Sequence, residues 1–378
     1  MGSLREMSLS FAVTHVDDAT SARCGVLQTP HGVVHTPVFM PVGTYGAVKG
    51  MRADDLEELG AEIILANAYH LAERPGAAEI EALGGLQSFI GWNRPILTDS
   101  GGYQVFSLSE RCQIDDDGVT FQSTLDGSRR RLTPESVIDI QARLGSDVAM
   151  VLDECVASPA DRRTAEEAVR RTQSWAVRSR ALADRLPGGL FGIVQGSIYP
   201  DLRAAHAEQL AALDFDGYAV GGLAVGEDKA ATWEALEGAT EHLPADKPRY
   251  VMGMGTPVDL IEGVARGVDM FDCVMPTRHA RNGTAFTSEG RISIKNRVYA
   301  DDPGPLDPAC GCPTCRRYSR AYLRHLKVRG EMTAAVLLTW HNLFHYLDSM
   351  RTIRHAIASA SFADLRRKAA ASLAESSN

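Results

Sequence analysis

"RPILTDSGGYQ", residues 94–104, is a short apolar run that ends in a carboxylate and a glycine-rich turn. Seven further stretches have the same form, because the apolar residues in each are followed at once by polar residues or glycine. The eight runs are Pro37–Val42, Glu62–Ala66, Arg94–Thr98, Val148–Leu152, Leu190–Val194, Tyr218–Val220, Tyr250–Met252 and Asp269–Phe271. Parallel strands that are buried on both faces have such continuous apolar sequences. Helical patterns lie between most of the runs, so the alternation predicts a (β/α)8 TIM barrel.

Four of the helical patterns begin with a recognisable start signal. Three of them have proline at the first helical position or next to it, at Thr133-Pro134, Pro200-Asp201 and Thr256-Pro257. The fourth has Thr164 with Glu167 three residues later, which is the spacing of a capping box. We therefore expect helices to begin at these four positions.

Three segments depart from the alternation. The first 35 residues predict a small antiparallel piece, and two Asp-Gly turn signals at Asp117-Gly118 and Asp126-Gly127 predict a β-hairpin insertion. After Thr277 the alternation stops, and a cysteine cluster and helical patterns follow. The division that we expect is an antiparallel segment over residues 1–35, the barrel over 36–280, an insertion that carries the cysteine cluster over 281–345 and a helical segment over 346–378.

The composition is that of an ordinary globular enzyme of 378 residues, with 44% hydrophobic residues and a net charge of −9. We find no apolar run near the roughly 18 residues of a membrane span and no apolar signal core at the amino terminus. Three of the seven cysteines lie within six residues, which favours metal or thiol roles in a reducing compartment over disulfides. These features predict a cytoplasmic protein.

Basic residues are concentrated in one part of the chain. Between Pro276 and Gly330 there are eleven basic and four acidic side chains, a local balance of +7. Such a basic region on an acidic body indicates a binding site for a polyanion such as a nucleic acid. The alternative is a solvated basic face without a partner.

Polar residues follow most of the apolar runs, where a barrel of this class carries its catalytic groups. Together with the glycines and the methionine at these strand ends, the candidate residues are Asn67, His70, Asp99, Asp153, Glu154, Cys155, Gln195, Gly221, Gly222, Met252, Gly253 and Asp272. A single aspartate at such a position is most often a turn or helix cap. Three aspartates and a glutamine at equivalent strand ends instead predict an active site.

The motif "CGCPTC" supplies Cys310, Cys312 and Cys315. The spacing C-x-C-x-x-C indicates zinc, and a structural zinc needs a fourth ligand. His341, 26 residues after Cys315, lies in an apolar helical pattern where an unpartnered imidazole would be costly to bury. His345, one turn further, has the alternative role of a packed core histidine. A closed Cys3His site predicts one structural Zn²⁺ without a catalytic position.

Seven motifs in one order carry a resemblance to a known family: "TDSGGYQ", "LDEC", "GIVQGS", "GGLAVGE", "YVMGMG", "FDCVMPTR" and "CGCPTC" with its distant histidine. From about residue 10 to 370 the chain resembles the bacterial tRNA-guanine transglycosylases of queuosine synthesis. The resemblance implies a (β/α)8 barrel with a zinc-bearing insertion, usually as a homodimer. It implies exchange of guanine at the anticodon wobble position for 7-aminomethyl-7-deazaguanine in tRNAs with a GUN anticodon, those for Asp, Asn, His and Tyr.

Such an exchange keeps the ribose configuration, so it requires two inversions and two carboxylates with different tasks. By resemblance Asp272 is the nucleophile that forms a covalent ribosyl-enzyme, and Asp99 is the general acid/base. The positions alone leave this assignment open, because both residues stand at strand ends.

The resemblance also implies how the base is held. Asp153 accepts from the pyrimidine edge, whereas Gln195 and the Gly222 N–H donate to the base carbonyl. Tyr103 and Met252 enclose the ring, although plain core packing is an equal alternative for Met252. Glu227 lies behind the base pocket and lets a backbone peptide serve either guanine or the aminomethyl base. The full implied set is Asp99, Ser100, Gly101, Gly102, Tyr103, Asp153, Cys155, Gln195, Gly222, Leu223, Glu227 and Met252.

Two segments match the RNA-contacting parts of the family. They comprise Gly253, Met254, Gly255, Thr256, Pro257, Val258 and Asp259, and then Thr277, Arg278, His279, Ala280 and Arg281. An anticodon loop suits them, because an enzyme that acts on a glycosidic bond must take its base out of the stack. His279 stands where Asn or Ser is expected, so its anticodon contact stays open.

Two alternatives to this function remain. A catalytically inactive tRNA-binding subunit would lack the nucleophile or the zinc ligands, and this chain has both. A barrel glycoside hydrolase would use two carboxylates as well. It would give no reason for the cysteine cluster or for the basic region.

Overall fold

The computed structural model describes residues 9–107, 112–123, 125–158 and 160–376. Its strands, in chain order, are β1 (Ser10–Val16), β2 (Arg23–Thr29), β3 (Gly32–Thr36), β4 (Val38–Met40), β5 (Val42–Gly43), β6 (Ile64–Asn67), β7 (Ile96–Asp99), β8 (Cys112–Asp115), β9 (Gly118–Gln122), β10 (Arg129–Leu132), β11 (Val148–Met150), β12 (Gly189–Val194), β13 (Gly217–Val220), β14 (Arg249–Val251), β15 (Met270–Asp272), β16 (Thr284–Thr287) and β17 (Gly290–Ser293).

The helices of the same residues are α1 (Ala53–Leu59), α2 (Ala68–Glu73), α3 (Ala77–Ala82), α4 (Gly85–Ile90), α5 (Gly102–Ser107), α6 (Pro134–Leu144), α7 (Arg162–Arg180), α8 (Pro200–Ala211), α9 (Lys229–Thr240), α10 (Pro257–Ala265), α11 (Met275–Asn282), α12 (Pro313–Arg317), α13 (Arg320–Arg329), α14 (Met332–Ala358) and α15 (Phe362–Ser376). Within the described part of the chain, none of them combines the length and the apolar character needed to cross a membrane.

Nine strands form one parallel sheet in the order β4-β15-β14-β13-β12-β11-β7-β6-β5. The two ends of this sheet, β4 and β5, are separated along the chain only by Pro41. Phe39 of β4 is paired with Phe271, and Val42 of β5 is paired with Leu65. The Pro41 carbonyl accepts a hydrogen bond from the Leu65 N–H at 3.0 Å. The sheet is therefore closed, and the predicted barrel is confirmed.

All eight predicted runs overlap strands of the barrel, and the first overlaps two. The division at Pro41 has a local reason, because proline has no N–H to donate to a ladder. Between β6 and β15 the barrel strands follow each other in space as they do along the chain. Their carboxyl ends consequently meet on one face, together with the polar residues that follow them.

Besides the two-stranded sheet of β16 and β17, two three-stranded antiparallel sheets lie outside the barrel. The first has the order β1-β2-β3 and precedes the barrel, as expected. The second has the order β10-β9-β8, so the insertion has three strands where a hairpin was predicted. Both Asp-Gly signals lie at its turns, and each turn joins two of the three strands. Val119, Phe121 and Leu132 of this sheet pack on Tyr69 and Trp175.

Three of the four predicted helix starts are confirmed, at Pro134, Pro200 and Pro257. The capping box predicted for Thr164 with Glu167 is wrong. The N-cap of α7 is three residues earlier, at Asp161, whose side chain accepts a hydrogen bond from the Thr164 N–H at 2.9 Å, and the helix begins at Arg162. Aspartate is preferred to threonine as an N-cap, which explains this start.

The carboxyl-terminal part is organised around α14, which has 27 residues. This helix packs against α11 and β16, near the cysteine cluster, and also against β2, β4 and α15. It is continuous across residue 345, so the boundary expected there lies inside a helix. The division of the chain into four segments stays a prediction.

Candidate active site

The carboxyl ends of the barrel strands open into a cavity of about 630 Å³. Its walls include three aspartates from separate strand ends, at positions 99, 153 and 272. The predicted residues that line it are Asn67, His70, Asp99, Ser100, Gly102, Tyr103, Asp153, Cys155, Gly221, Gly222, Leu223, Met252, Gly253 and Asp272. Gly101 lies between two of these residues, whereas Gln195 and Glu227 contact the walls from behind.

Asp99 ends β7 and is almost fully buried. Its carboxylate accepts hydrogen bonds from the Asn67 side chain, from the Ala68 N–H at 3.0 Å and from Gln104 Nε2 at 3.1 Å. Burial raises the pKa of Asp99 to about 6, against the lowering effect of these donors. A carboxyl group with this pKa can both hold and release a proton near neutral pH, which suits a general acid/base.

Asp272 ends β15 and has a different set of partners. Oδ1 accepts from the Tyr250 hydroxyl at 2.5 Å and from the Gly253 N–H at 2.7 Å. Burial raises the pKa of Asp272, whereas the bonds from Tyr250 and Gly253 lower it. Both donors, Tyr250 and Gly253, therefore bond to the same oxygen of the carboxylate. Oδ2 accepts no hydrogen bond from a described residue, so this oxygen is available to a ligand.

Tyr250 supports this arrangement from β14. The residue is 1% exposed, and burial beside Asp272 raises the pKa of its phenol well above the usual value. The hydroxyl therefore stays protonated and donates to Asp272.

Asp153 and Gln195 form a buried polar pair on another wall. Gln195 Nε2 donates to Asp153 Oδ2 at 2.7 Å, and the Ser100 hydroxyl donates to Oδ1 at 3.2 Å. Burial raises the pKa of Asp153 to about 6. A side chain at Gly102 would overlap the Asp153 carboxylate, which explains the glycine at this position.

Cys155 and Glu227 have supporting positions. Burial raises the pKa of the Cys155 thiol to about 12, so it is a neutral group and a poor nucleophile at pH 7. Glu227 accepts hydrogen bonds from the Ala224 N–H, from the Val225 N–H at 3.1 Å and from the Thr232 hydroxyl at 3.0 Å. It thereby holds a loop that lines the cavity.

Tyr103 and Met252 lie at the cavity in different surroundings. Tyr103 is 57% exposed, whereas Met252 is partly buried and packs against the barrel core. Met252 also lines the cavity. The position of Met252 therefore fits both contact with a bound base and packing in the core.

The two segments expected to contact RNA are only partly accessible. In the first, Gly253 is exposed and Thr256, Pro257 and Val258 are partly exposed, but Met254, Gly255 and Asp259 are buried. Asp259 shares a capping box with Thr256 and accepts from Lys229 Nζ at 2.6 Å. In the second, Arg278 is exposed, His279 and Arg281 are partly exposed, and Thr277 and Ala280 are buried. The buried members give the two segments their shape, and the others are free to touch a ligand.

Three cysteines and one histidine converge near the carboxyl-terminal part. The ligand atoms of Cys310, Cys312, Cys315 and His341 all lie within 4.8 Å of one another. His341 Nδ1 is 3.2 Å from Cys315 Sγ, and His341 Nε2 is 2.7 Å from the Phe286 carbonyl oxygen. Because Nε2 donates to that carbonyl, Nδ1 keeps its lone pair towards the sulfurs, as a metal ligand requires. The predicted convergence of these four residues is confirmed, and together they could hold a metal ion.

His345 is outside this cluster. Its ring is stacked beside that of His341 with 6.5 Å between the centroids, and burial lowers its pKa. The structure thus favours the packed histidine over a metal ligand at this position.

Three polar side chains at the site were missed from the sequence. Gln104 and Tyr250 stand inside quoted motifs, but their spacing does not show which carboxylate they contact. Arg203 lies on α8 beneath the cavity wall and is fully buried. The sequence does contain a signal that Arg203 is buried. The spacing of one buried helix face is shared by Arg203, His206, Ala207 and Leu210.

Comparison with known proteins identifies the family of this chain. The sequence model of the family described as queuine tRNA-ribosyltransferase matches residues 17–375. A queuine tRNA-ribosyltransferase of Caldanaerobacter subterraneus subsp. tengcongensis is 54% identical over 353 residues, 93% of this chain and 94% of the relative. One from Nitratidesulfovibrio vulgaris is 54% identical over 358 residues, 93% and 94% of the two chains. The chain therefore belongs to the queuine tRNA-ribosyltransferase family.

Proposed function

We propose that this protein exchanges guanine at the anticodon wobble position of tRNA for 7-aminomethyl-7-deazaguanine. As a member of its family the chain is a pentosyltransferase that acts on tRNA. The observation that carries the finer proposal is the pair of carboxylates, Asp99 and Asp272, which line one cavity and are held by separate donors. A double displacement needs one carboxylate that bonds to carbon and one that carries protons.

In the first half of the reaction, Asp272 Oδ2 attacks C1′ of the wobble ribose. The C1′–N9 bond breaks, and protonated Asp99 gives its proton to the departing guanine. The products are a ribosyl ester of Asp272, neutral guanine and ionised Asp99. Asp272 must be ionised and Asp99 protonated for this step, and the pKa of about 6 gives Asp99 a usable protonated fraction.

In the second half, Asp99 takes the proton from N9 of the incoming base. N9 then attacks C1′, the ester bond breaks, and the Asp272 carboxylate is restored. The proton count closes, since the proton given to guanine is recovered from the new base. Two inversions at C1′ leave the ribose in its original configuration.

Base recognition follows from the polar wall of the cavity. The Asp153 carboxylate is a suitable acceptor for the N–H groups of a guanine pyrimidine edge, and the Gly222 N–H is a suitable donor to its carbonyl. Gln195 contacts the same wall through Asp153. Exposed Arg278 and the partly exposed Arg281 follow Asp272 in the chain, and we propose that they bind phosphates around the extracted nucleotide.

The direct test is the incorporation of radiolabelled guanine into unmodified tRNA. We expect label in transcripts with a GUN anticodon, and label there should be displaced by 7-aminomethyl-7-deazaguanine. A matched transcript with cytosine at the wobble position serves as control and should remain unlabelled. Equal labelling of both transcripts, or of neither, would contradict the proposal.

We also propose that the metal is a single structural Zn²⁺. The three thiolates and one imidazole nitrogen suit its tetrahedral preference, and four protein ligands leave no position for a substrate. When bound, the ion crosslinks the segment around α12 to α14. We also propose a homodimer, on the basis of the resemblance, and a cytoplasmic location, on the basis of the sequence composition.

A Cys312→Ala variant is expected to lose the bound zinc, from about one ion per chain to none, because a buried ligand is removed. Its midpoint of thermal unfolding should fall as well. Metal analysis after gel filtration is the measurement. Cys24→Ala is the matched control, since Cys24 is also buried but lies on β2, outside the cluster. Full zinc content in Cys312→Ala would refute the site.

A further inference from the structure

Arg203 is a buried arginine that the reaction scheme above does not use. It lies in the first turn of α8, and its exposed fraction is 0%. All of its hydrogen bonds to described residues end on backbone carbonyls at the ends of β12 and β13. They join Nε to Ser197 at 2.7 Å, Nη1 to Val194 at 3.4 Å, and Nη2 to Gly221 at 2.9 Å and to Gly222 at 3.4 Å.

A buried charge without a carboxylate partner is uncommon, because its desolvation is costly. Burial lowers the pKa of Arg203 to about 10, so the guanidinium is still charged at neutral pH. The packing of the barrel alone does not require a charge here, since an apolar side chain of similar volume would fill the same space. We therefore look for the role of the charge in the hydrogen bonds that the guanidinium donates to backbone carbonyls.

The hydrogen bond from Arg203 to the Gly221 carbonyl also affects the Gly222 N–H, on the opposite side of the same peptide. Gly221 C=O and Gly222 N–H belong to one planar trans unit, in which the two groups point in opposite directions. Arg203 lies on the carbonyl side. The Gly222 N–H is consequently turned away from Arg203, and both glycines line the cavity.

The surroundings restrict this peptide further. Gly222 has a φ of +65°, a left-handed conformation that a side chain would disfavour. An added side chain at Gly222 would also meet the Gln195 side-chain amide, which packs against it. Donation to a carbonyl polarises the peptide and strengthens the N–H as a donor. Arg203 thus acts on both the direction and the strength of one donor in the cavity wall.

We propose that Arg203 is a positioning residue that aims the Gly222 N–H at the base carbonyl and thereby sets the preference of the cavity for 6-oxopurines. This inference rests on the proposed function, since it assumes that a guanine-type base occupies the cavity. Arg203 itself does not touch the base.

The test compares two bases that differ in the 6-carbonyl group. Guanine has the 6-carbonyl, whereas 2-aminopurine lacks it. For wild-type protein and variants, the dissociation constants of both bases are measured, by equilibrium dialysis for guanine and by fluorescence for 2-aminopurine. The ratio of the two constants isolates the interaction with the carbonyl from general damage to the cavity.

In Arg203→Met we expect guanine to bind about five- to tenfold more weakly, the usual range for one lost hydrogen bond, while 2-aminopurine changes less than about twofold. Arg203→Lys provides a second variant that keeps a buried charge and most of the volume. Ser197 accepts from Nε and Gly221 from the more distant Nη2, so we expect the shorter lysine to keep the first contact and lose the second. The preference for guanine should then fall there too. If Arg203→Met does not fold, the lysine variant decides the matter.

The control is Arg94→Met, which removes an arginine that donates to the Ala61 carbonyl at 2.8 Å before the start of β6. It should leave the ratio unchanged. Equal weakening of both bases in the Arg203 variants, or an unchanged ratio in Arg203→Lys, would overturn the positioning role. Failure of the wild-type protein to bind guanine would be a different result, because it would overturn the proposed function as well.

Discussion

Asp272→Asn is expected to lose guanine exchange by at least about 1,000-fold, because an amide cannot form the ribosyl ester. The substitution is nearly isosteric, and the amide oxygen can still accept from the Tyr250 hydroxyl and the Gly253 N–H, which both contact Oδ1. The variant should therefore fold as the wild type does. Incorporation of labelled guanine into GUN tRNA measures the loss.

A denaturing gel makes this experiment specific for the nucleophile. Wild-type protein mixed with tRNA should show an RNA-protein adduct, and Asp272→Asn should show none. The matched control is Asp216→Asn, since Asp216 accepts from a backbone N–H, that of Leu190, at 2.9 Å before the start of β13. It should keep both exchange and adduct. A wild-type level of adduct in Asp272→Asn would place the nucleophile elsewhere in the cavity.

The fold was largely predictable because barrel strands are buried on both faces, which makes their sequences continuous apolar runs. The exceptions have local causes that the pattern does not contain. Pro41 divides the first run into β4 and β5, and Asp161 replaces Thr164 as the cap of α7. The insertion has three strands and not the two of a hairpin, because each Asp-Gly signal lies at a separate turn.

For the site, the rule that catalytic groups follow the strands predicted Asp99, Asp153 and Asp272, which do line one cavity. The rule does not predict which donors hold each carboxylate. The contact of Gln104 with Asp99 and that of Tyr250 with Asp272 are tertiary, and they give the two carboxylates different environments. The difference in environment, and with it the support for two different tasks, could come only from the structure.

Asp99→Asn is expected to slow exchange by about 10²- to 10⁴-fold, the usual contribution of a general acid/base, because an amide neither gives nor takes the proton. Unlike Asp272→Asn, it keeps the nucleophile. It should therefore still form the RNA-protein adduct, at a reduced rate.

The dependence of this rate on pH separates the role of Asp99 from a structural one. Cleavage of the C1′–N9 bond needs the protonated carboxyl, and burial raises its pKa to about 6. In wild-type protein the single-turnover rate of adduct formation should then fall about tenfold per pH unit above pH 6, as the protonated fraction falls. Asp99→Asn should lack this falling limb, whereas Asp216→Asn should keep it. A falling limb that persists unchanged in Asp99→Asn would assign the proton transfer to another group, and Asp153, with the same pKa of about 6 in the same cavity, would be the next candidate.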